Sequence, residues 1–311
     1  MAAAPAKADE TWSQASGKVI LFGEHAVVHG VRAIAAGISR GVRARSASAV
    51  ADSIWVNDKA LPSGHGLYAA LLALRQFLRL DPITLELHSD IPEGSGLGSS
   101  AAMAVATARA LMKSHGLQLS ERTLFQAAQS WEGVFHGNPS GVDVAAAQSG
   151  STVGFVRGEE PAPVVLAKPL DLVVVQAGPP ESTKRMVELV ARNKARNPVQ
   201  FDKSLQAIAA LVENATVLLR QGDWSAVGKL MDLNHMLLAA WMLSTEDIER
   251  ACNLARTHGA LGAKLTGAGG GGCVIALAES PAHQAELLKP MRENSLFAFS
   301  ASVGTHLNET R

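Results

Sequence analysis

Ile83, Leu85 and Leu87 alternate with Thr84, Glu86 and His88, and this two-residue period predicts a half-buried strand. Residues 99–113 are rich in Ala and contain neither Pro nor Gly, which predicts a helix. Ser120-Glu121-Arg122-Thr123 can cap a second helix running through Leu124, Ala127, Ala128 and Trp131, and Gly137-Asn138-Pro139-Ser140-Gly141 ends it in a loop. Strands are expected at 152–156, 172–175 and 273–277, and helices at 182–192, 201–220, 225–242 and 245–257. Arg157-Gly158-Glu159-Glu160-Pro161-Ala162-Pro163 is the candidate boundary between two mixed lobes, 1–157 and 164–311, with residues 1–10 read as a frayed, polar start.

Between the periodic segments lie three glycine-bearing clusters. The first is Lys18-Val19-Ile20-Leu21-Phe22-Gly23-Glu24-His25-Ala26-Val27-Val28-His29-Gly30. The second runs Pro92-Glu93-Gly94-Ser95-Gly96-Leu97-Gly98-Ser99-Ser100, and the third Lys264-Leu265-Thr266-Gly267-Ala268-Gly269-Gly270-Gly271-Gly272-Cys273. The second sits between the 83–88 strand and the 99–113 helix. That order aims free backbone N–H groups and the positive end of a helix at one spot, which favours phosphate.

Composition narrows the classes. The 28 Lys and Arg balance 28 Asp and Glu, so a nucleic-acid footprint is not expected. The two cysteines, Cys252 and Cys273, form no CxxC pair and read as cytosolic thiols. No apolar run is long enough for a membrane span, and a soluble, cytoplasmic protein is expected. Familiar phosphate loops do not fit either. Gly17-Lys18 is followed by Val19 and Gly228-Lys229 by Leu230, so no P-loop is present, and Gly94-Ser95-Gly96-Leu97-Gly98 has its third glycine too early for a dinucleotide fingerprint. His25 and His29 are four apart and could share a helix face, but no third metal ligand follows at a useful spacing.

In the order and placement of its three clusters, the chain resembles the GHMP kinases, small-molecule kinases acting on galactose, homoserine, mevalonate and phosphomevalonate. The first cluster, together with His136-Gly137-Asn138-Pro139-Ser140-Gly141-Val142-Asp143, is similar to the form found in that family's mevalonate-phosphorylating branch. The resemblance implies an α+β fold with a ribosomal protein S5 domain 2-like N-terminal lobe, a ferredoxin-like C-terminal lobe and a site in the cleft between them. It implies ATP and Mg²⁺ as cofactors, mevalonate as substrate and partner, and 5-phosphomevalonate as product. A homodimer, another small hydroxy acceptor such as phosphomevalonate, and a non-catalytic ligand sensor on the same fold are left open.

Residue by residue, the resemblance places the triphosphate on Pro92, Gly94, Ser95, Gly96, Leu97, Gly98, Ser99 and Ser100, and assigns Mg²⁺ to Ser100 and Glu132. Glu132 precedes Asp143 by eleven positions, the family's interval between its metal-binding Glu and its catalytic Asp. Asp143 would accept the hydroxyl proton and Lys18 would stabilise developing charge. Each is flanked by apolar residues, so an Asp143–Lys18 pair that only ties two segments together is the competing reading. Glu24, His25, Thr183 and Ala268 stand at positions similar to the family's substrate contacts. Val144 departs from the pattern, replacing a small polar residue after the catalytic Asp.

Overall fold

The computed structural model describes residues 12–92, 95–137 and 139–304. In the first half, strands β1 (Ser13–Phe22), β2 (Ala33–Ser48), β3 (Ser53–Val56) and β4 (Lys59–Ala60) lead to helix α1 (Gly66–Leu78) and strand β5 (Ile83–Ser89). Helices α2 (Ser99–Ser114), α3 (Glu121–His136) and α4 (Val142–Ser149) follow, then strands β6 (Thr152–Phe155) and β7 (Ala162–Pro163). The second half runs through β8 (Leu170–Gln176), helices α5 (Thr183–Arg196), α6 (Pro198–Gln221), α7 (Trp224–Ala240) and α8 (Glu246–Thr257), strands β9 (Gly262–Thr266) and β10 (Cys273–Ala278), helix α9 (Pro281–Glu293) and strand β11 (Ala298–Val303). No helix among the described residues is long and apolar enough to cross a membrane.

The periodic segments behave as their patterns require. Ser120 Oγ accepts the Thr123 N–H at the start of α3. Strand β5 buries Ile83, Leu85 and Leu87 and leaves Thr84, Glu86 and His88 partly exposed. The sheet runs β4-β3-β5-β2-β11-β8-β10-β9, with β1 and β6 also pairing with β2. The two halves therefore share one open sheet. Their link is the antiparallel pairing of β11 with β2, at Val303 and Ile38. Strand β2, 16 residues long, can serve both halves because its length exceeds what any one partner covers.

Alternation on the two central strands sorts the core into layers. Ile34, Ala36 and Ile38 of β2 join the main core, whereas Ala33 and Ala35 face a smaller cluster with Ile20, Val142, Ala145, Ala146, Val153 and Phe155. Helix α4 supplies Val142, Ala145 and Ala146 to that smaller cluster and Val144 and Ala147 to the main one, so Val144 is a core residue. Its packing on β1 and β2 is what brings the first turn of α4 to Lys18. Arg109 of α2 fixes the arrangement, donating to the Gln14 carbonyl at 2.7 Å and the Gln148 carbonyl at 2.6 Å.

In the second half, α7 lies directly on β9. A Cβ built on Gly228 would stand 2.1 Å from the Leu261 carbonyl oxygen, and one on Gly262 would stand 2.0 Å from the Gly228 carbonyl oxygen. Backbone meets backbone here, so neither atom can swing aside. Gly228→Ala should therefore lower stability by roughly 3 kcal/mol, the upper part of the range for overpacking a core. Urea unfolding followed by circular dichroism measures it, and an unchanged midpoint would contradict the contact.

Candidate active site

Lys18 lies in β1 with 3% of its side chain exposed, and its Nζ is 3.0 Å from Asp143 Oδ1. The aspartate occupies the first turn of α4, where the positive end of the helix favours a carboxylate, and it keeps 37% of its side chain exposed. The buried ammonium is therefore paired with a carboxylate that opens onto solvent. Lys18 is also held at its backbone, its N–H donating to the Leu97 carbonyl at 2.8 Å.

Beside this pair, Ser100 Oγ donates to Glu132 Oε1. Ser100 belongs to the first turn of α2 and Glu132 to the last turns of α3, so two packed helices bring the hydroxyl and the carboxylate together. Burial pushes the Glu132 carboxyl up to about 7; the Asp143 charge adds to the rise, and the Ser100 hydrogen bond and Lys18 oppose it. His136, one turn further along α3, has its Nε2 3.8 Å from Glu132 Oε2.

The loop entering α2 combines open backbone with a buried hydroxyl. Gly96 and Gly98 have φ of +73° and +71°, the left-handed region that glycine adopts without penalty. Ser95 is 2% exposed, and its Oγ has no hydrogen-bond partner among the described residues. A buried hydroxyl left unpaired is costly unless a ligand completes it. Ser95 to Ser100 form the α2 entrance; Pro92 follows β5, and Gly94, also expected in the cradle, lies outside the described residues.

The third glycine cluster closes over this loop. A Cβ on Gly267 would be 3.5 Å from the Gly96 carbonyl oxygen and 4.0 Å from Lys18 Nζ, and one on Gly272 would be 3.8 Å from the Ser95 carbonyl oxygen. Ala268, in the same turn, accepts a hydrogen bond from His25 Nε2 at 2.8 Å. Because a carbonyl only accepts, the proton sits on Nε2, and burial holds His25 below the usual histidine range and so neutral. His25 adopts φ +58°, a backbone conformation rare outside glycine, so local strain accompanies this anchor. His29 points elsewhere, its ring edge-on to Phe201 at 5.0 Å, so the two imidazoles do not form a ligand pair.

Thr183 is exposed at the start of α5, next to Glu181 and Met186, whose side chains pack on Gly270. It stands at the rim of the third cluster. Glu24 lies wholly inside the protein. Expected among the substrate contacts, its carboxylate has no exposed surface; it pairs with Lys264 and accepts from Asn234 Nδ2 at 3.4 Å. Burial raises the Glu24 carboxyl and lowers the Lys264 ammonium, each opposed by the other's charge. Lys264, Asn234 and His235 received no role from the sequence. His235 Nδ1 accepts the Leu265 N–H at 3.3 Å, leaving Nε2 to donate to Glu249 at 3.1 Å. The available signal was a lysine set in the apolar strand Gly262–Thr266, the same pattern that singled out Lys18.

The two glycines of the α2 entrance separate backbone strain from contact with Lys18. A Cβ on Gly98 would stand 2.6 Å from Lys18 Cγ, while one on Gly96 meets nothing within 4 Å. Gly96→Ala should cost only the left-handed penalty, about 1–2 kcal/mol. Gly98→Ala should cost a further ~1–3 kcal/mol, because it also displaces the buried lysine stem. Equal losses in urea unfolding would remove the proposed close contact.

Residues 59–151 match the GHMP kinases N terminal domain and residues 215–295 match GHMP kinases C terminal. The chain is 36% identical to the mevalonate kinase of Thermococcus gammatolerans, with 88% of this chain and 90% of that protein covered. It is 34% identical to the mevalonate kinase of Aeropyrum pernix, with 96% and 98% covered. Among solved structures, L. major mevalonate kinase in complex with R-mevalonate superposes with a TM-score of 0.86 at 32% identity, covering 94% of this chain and 96% of that one. A lysine–aspartate pair beside a glycine-lined helix entrance, relatives this similar over this much of their length and both family halves in order lead to one assignment: the chain belongs to the GHMP kinase family, among its mevalonate kinases.

Proposed function

We propose that the protein transfers the terminal phosphoryl group of ATP to the 5-hydroxyl of (R)-mevalonate, giving 5-phosphomevalonate and ADP. The observation that carries this reading is the 3.0 Å pairing of buried Lys18 with half-open Asp143 next to the α2 entrance. The mevalonate kinases it matches over most of their length, and the solved relative whose complex contains R-mevalonate, support the choice of acceptor.

Phosphoryl transfer to an alcohol needs positioning and charge neutralisation more than covalent chemistry. The helix entrance and the N–H groups of residues 95–100 suit the phosphates, and the unpartnered Ser95 hydroxyl supplies one more donor. Asp143 Oδ1 would take the hydroxyl proton as the O–P bond forms, while the Lys18 ammonium stabilises the oxygen's growing negative charge. Thr183, His25 and Ala268 would contact the acceptor.

The residues present also fit Mg²⁺. Its preferred partners are hard oxygens, and the Ser100 hydroxyl and Glu132 carboxylate already converge. A carboxyl pushed up to about 7 by burial is one that a divalent cation would keep ionised. When bound, the ion would neutralise phosphate charge; Ser100 and Glu132 would hold it in place. Two buried free thiols, Cys252 and Cys273, suit a reducing compartment, and we place the protein in the cytoplasm.

A coupled ADP-release assay with mevalonate, phosphomevalonate, homoserine and galactose tests the acceptor. Turnover is expected with mevalonate in the presence of Mg²⁺, stopping with EDTA and returning with added Mg²⁺. Turnover confined to another acceptor, or none at all, would overturn the reading. Asp143→Asn should lower kcat by about 10²–10⁴-fold while nucleotide binding persists, the usual weight of a positioned base. Full activity in that variant would leave the pair with a purely structural role.

A further inference from the structure

Strand β1 pairs with β2 and β9 pairs with β10, so no backbone ladder joins the strand carrying Lys18 to the strand leading into the third glycine cluster. Side chains make that connection, and they make it at a defect. The register of β1 against β2 shifts between Ile20 and Phe22, and there the polar groups of Ile20 turn to β9. Thr266 Oγ1 accepts the Ile20 N–H at 2.8 Å and donates to the Ile20 carbonyl at 3.1 Å. Lys264 Nζ donates to the same carbonyl at 3.3 Å, to the Leu265 carbonyl at 2.7 Å and to Glu24 Oε1. All three ammonium protons thus have acceptors, two of them on the segment that begins with Lys18.

We propose that Lys264 is a positioning residue for phosphoryl transfer, stitching β1 to β9 through Ile20 and Glu24 so that Lys18 keeps its register with the third glycine cluster. This rests on the function proposed above. The physical reason is directionality. Ile20 also packs in an apolar layer with Val142, Ala145 and Ala146, and such contacts tolerate sliding, especially where the strand register already shifts. A buried cation with three fixed acceptors does not. For stability alone, an apolar pair of similar volume would serve as well as two desolvated charges. What the pair adds is a single permitted placement. Lys264 acts two residues along the strand from Lys18, and Glu24 extends the stitch through Asn234 into α7.

Replacing Lys264 alone would leave the Glu24 carboxylate buried without its cation, so the test uses the full chain carrying Glu24→Gln and Lys264→Met together. Should the double variant fail to fold, Lys264→Arg, which keeps a cation for Glu24 but cannot reproduce the compact three-acceptor geometry of an ammonium, carries the same measurements. The readouts are the thermal midpoint, amide exchange at residues 19–22, and kcat and KM for ATP and mevalonate. The expected result is a folded protein whose β1 amides exchange faster. Its kcat should fall by roughly tenfold or more with the KM for ATP within about twofold, since a misplacement of about 1 Å can cost on the order of 10²-fold. Parent-like kcat, or activity lost only in proportion to folded protein, would overturn the proposal. If the parent itself does not phosphorylate mevalonate, the proposed function fails separately, and unchanged exchange in the variants would then be what removes the stitch.

Discussion

A lysine ammonium taken almost wholly out of water must find a counter-charge, and much of this molecule's architecture follows from where Lys18 finds it. The partner cannot be local, because β1 offers no carboxylate that reaches the same spot. It comes from α4, whose apolar residues pack on β1 and β2 and whose first turn presents Asp143. The ammonium is buried, while the carboxylate stays partly open to solvent.

The same constraint explains why the site has three walls of different origin. The α2 entrance contributes donors and closely approaching backbone, with Leu97 holding the Lys18 N–H. The α3 helix contributes Glu132, a carboxyl that burial has made reluctant to ionise. The third glycine cluster closes over the α2 entrance, anchored by the His25 hydrogen bond to Ala268. A second buried pair, Glu24 with Lys264, lies behind this assembly and has no exposed surface. Removing one member of such a pair leaves an uncompensated charge and typically costs roughly 3–5 kcal/mol.

Legibility in the sequence followed local signal. Strand β5 and helices α2 and α3 were readable because their periods, caps and breakers lie within a few residues of one another. Strand β2 was not. Its sequence AIAAGISRGVRARSAS is short of large apolar residues, and it is a strand because β1, β5, β6 and β11 all pair with it. Helix α4 is eight residues long, too short for its period to declare itself, and β9 was absorbed into the glycine cluster that follows it. Glu24 illustrates the limit of motif position: its neighbour His25 reaches the third cluster, while Glu24 itself turns inward to Lys264.

By itself, the sequence determined the inventory and its order: a phosphate-suited helix entrance, a lone buried-looking lysine, an aspartate beside an apolar run, and glycines where backbone would have to approach closely. These are properties of residue type and short spacing, which the chain carries in any conformation. Tertiary structure alone decided that Lys264 meets Glu24. Lys264 and Glu24 are 240 positions apart, and no local period encodes a contact across such a distance. It arises only once the helices and the shared sheet have excluded water and each desolvated charge is left with a single neighbour able to satisfy it.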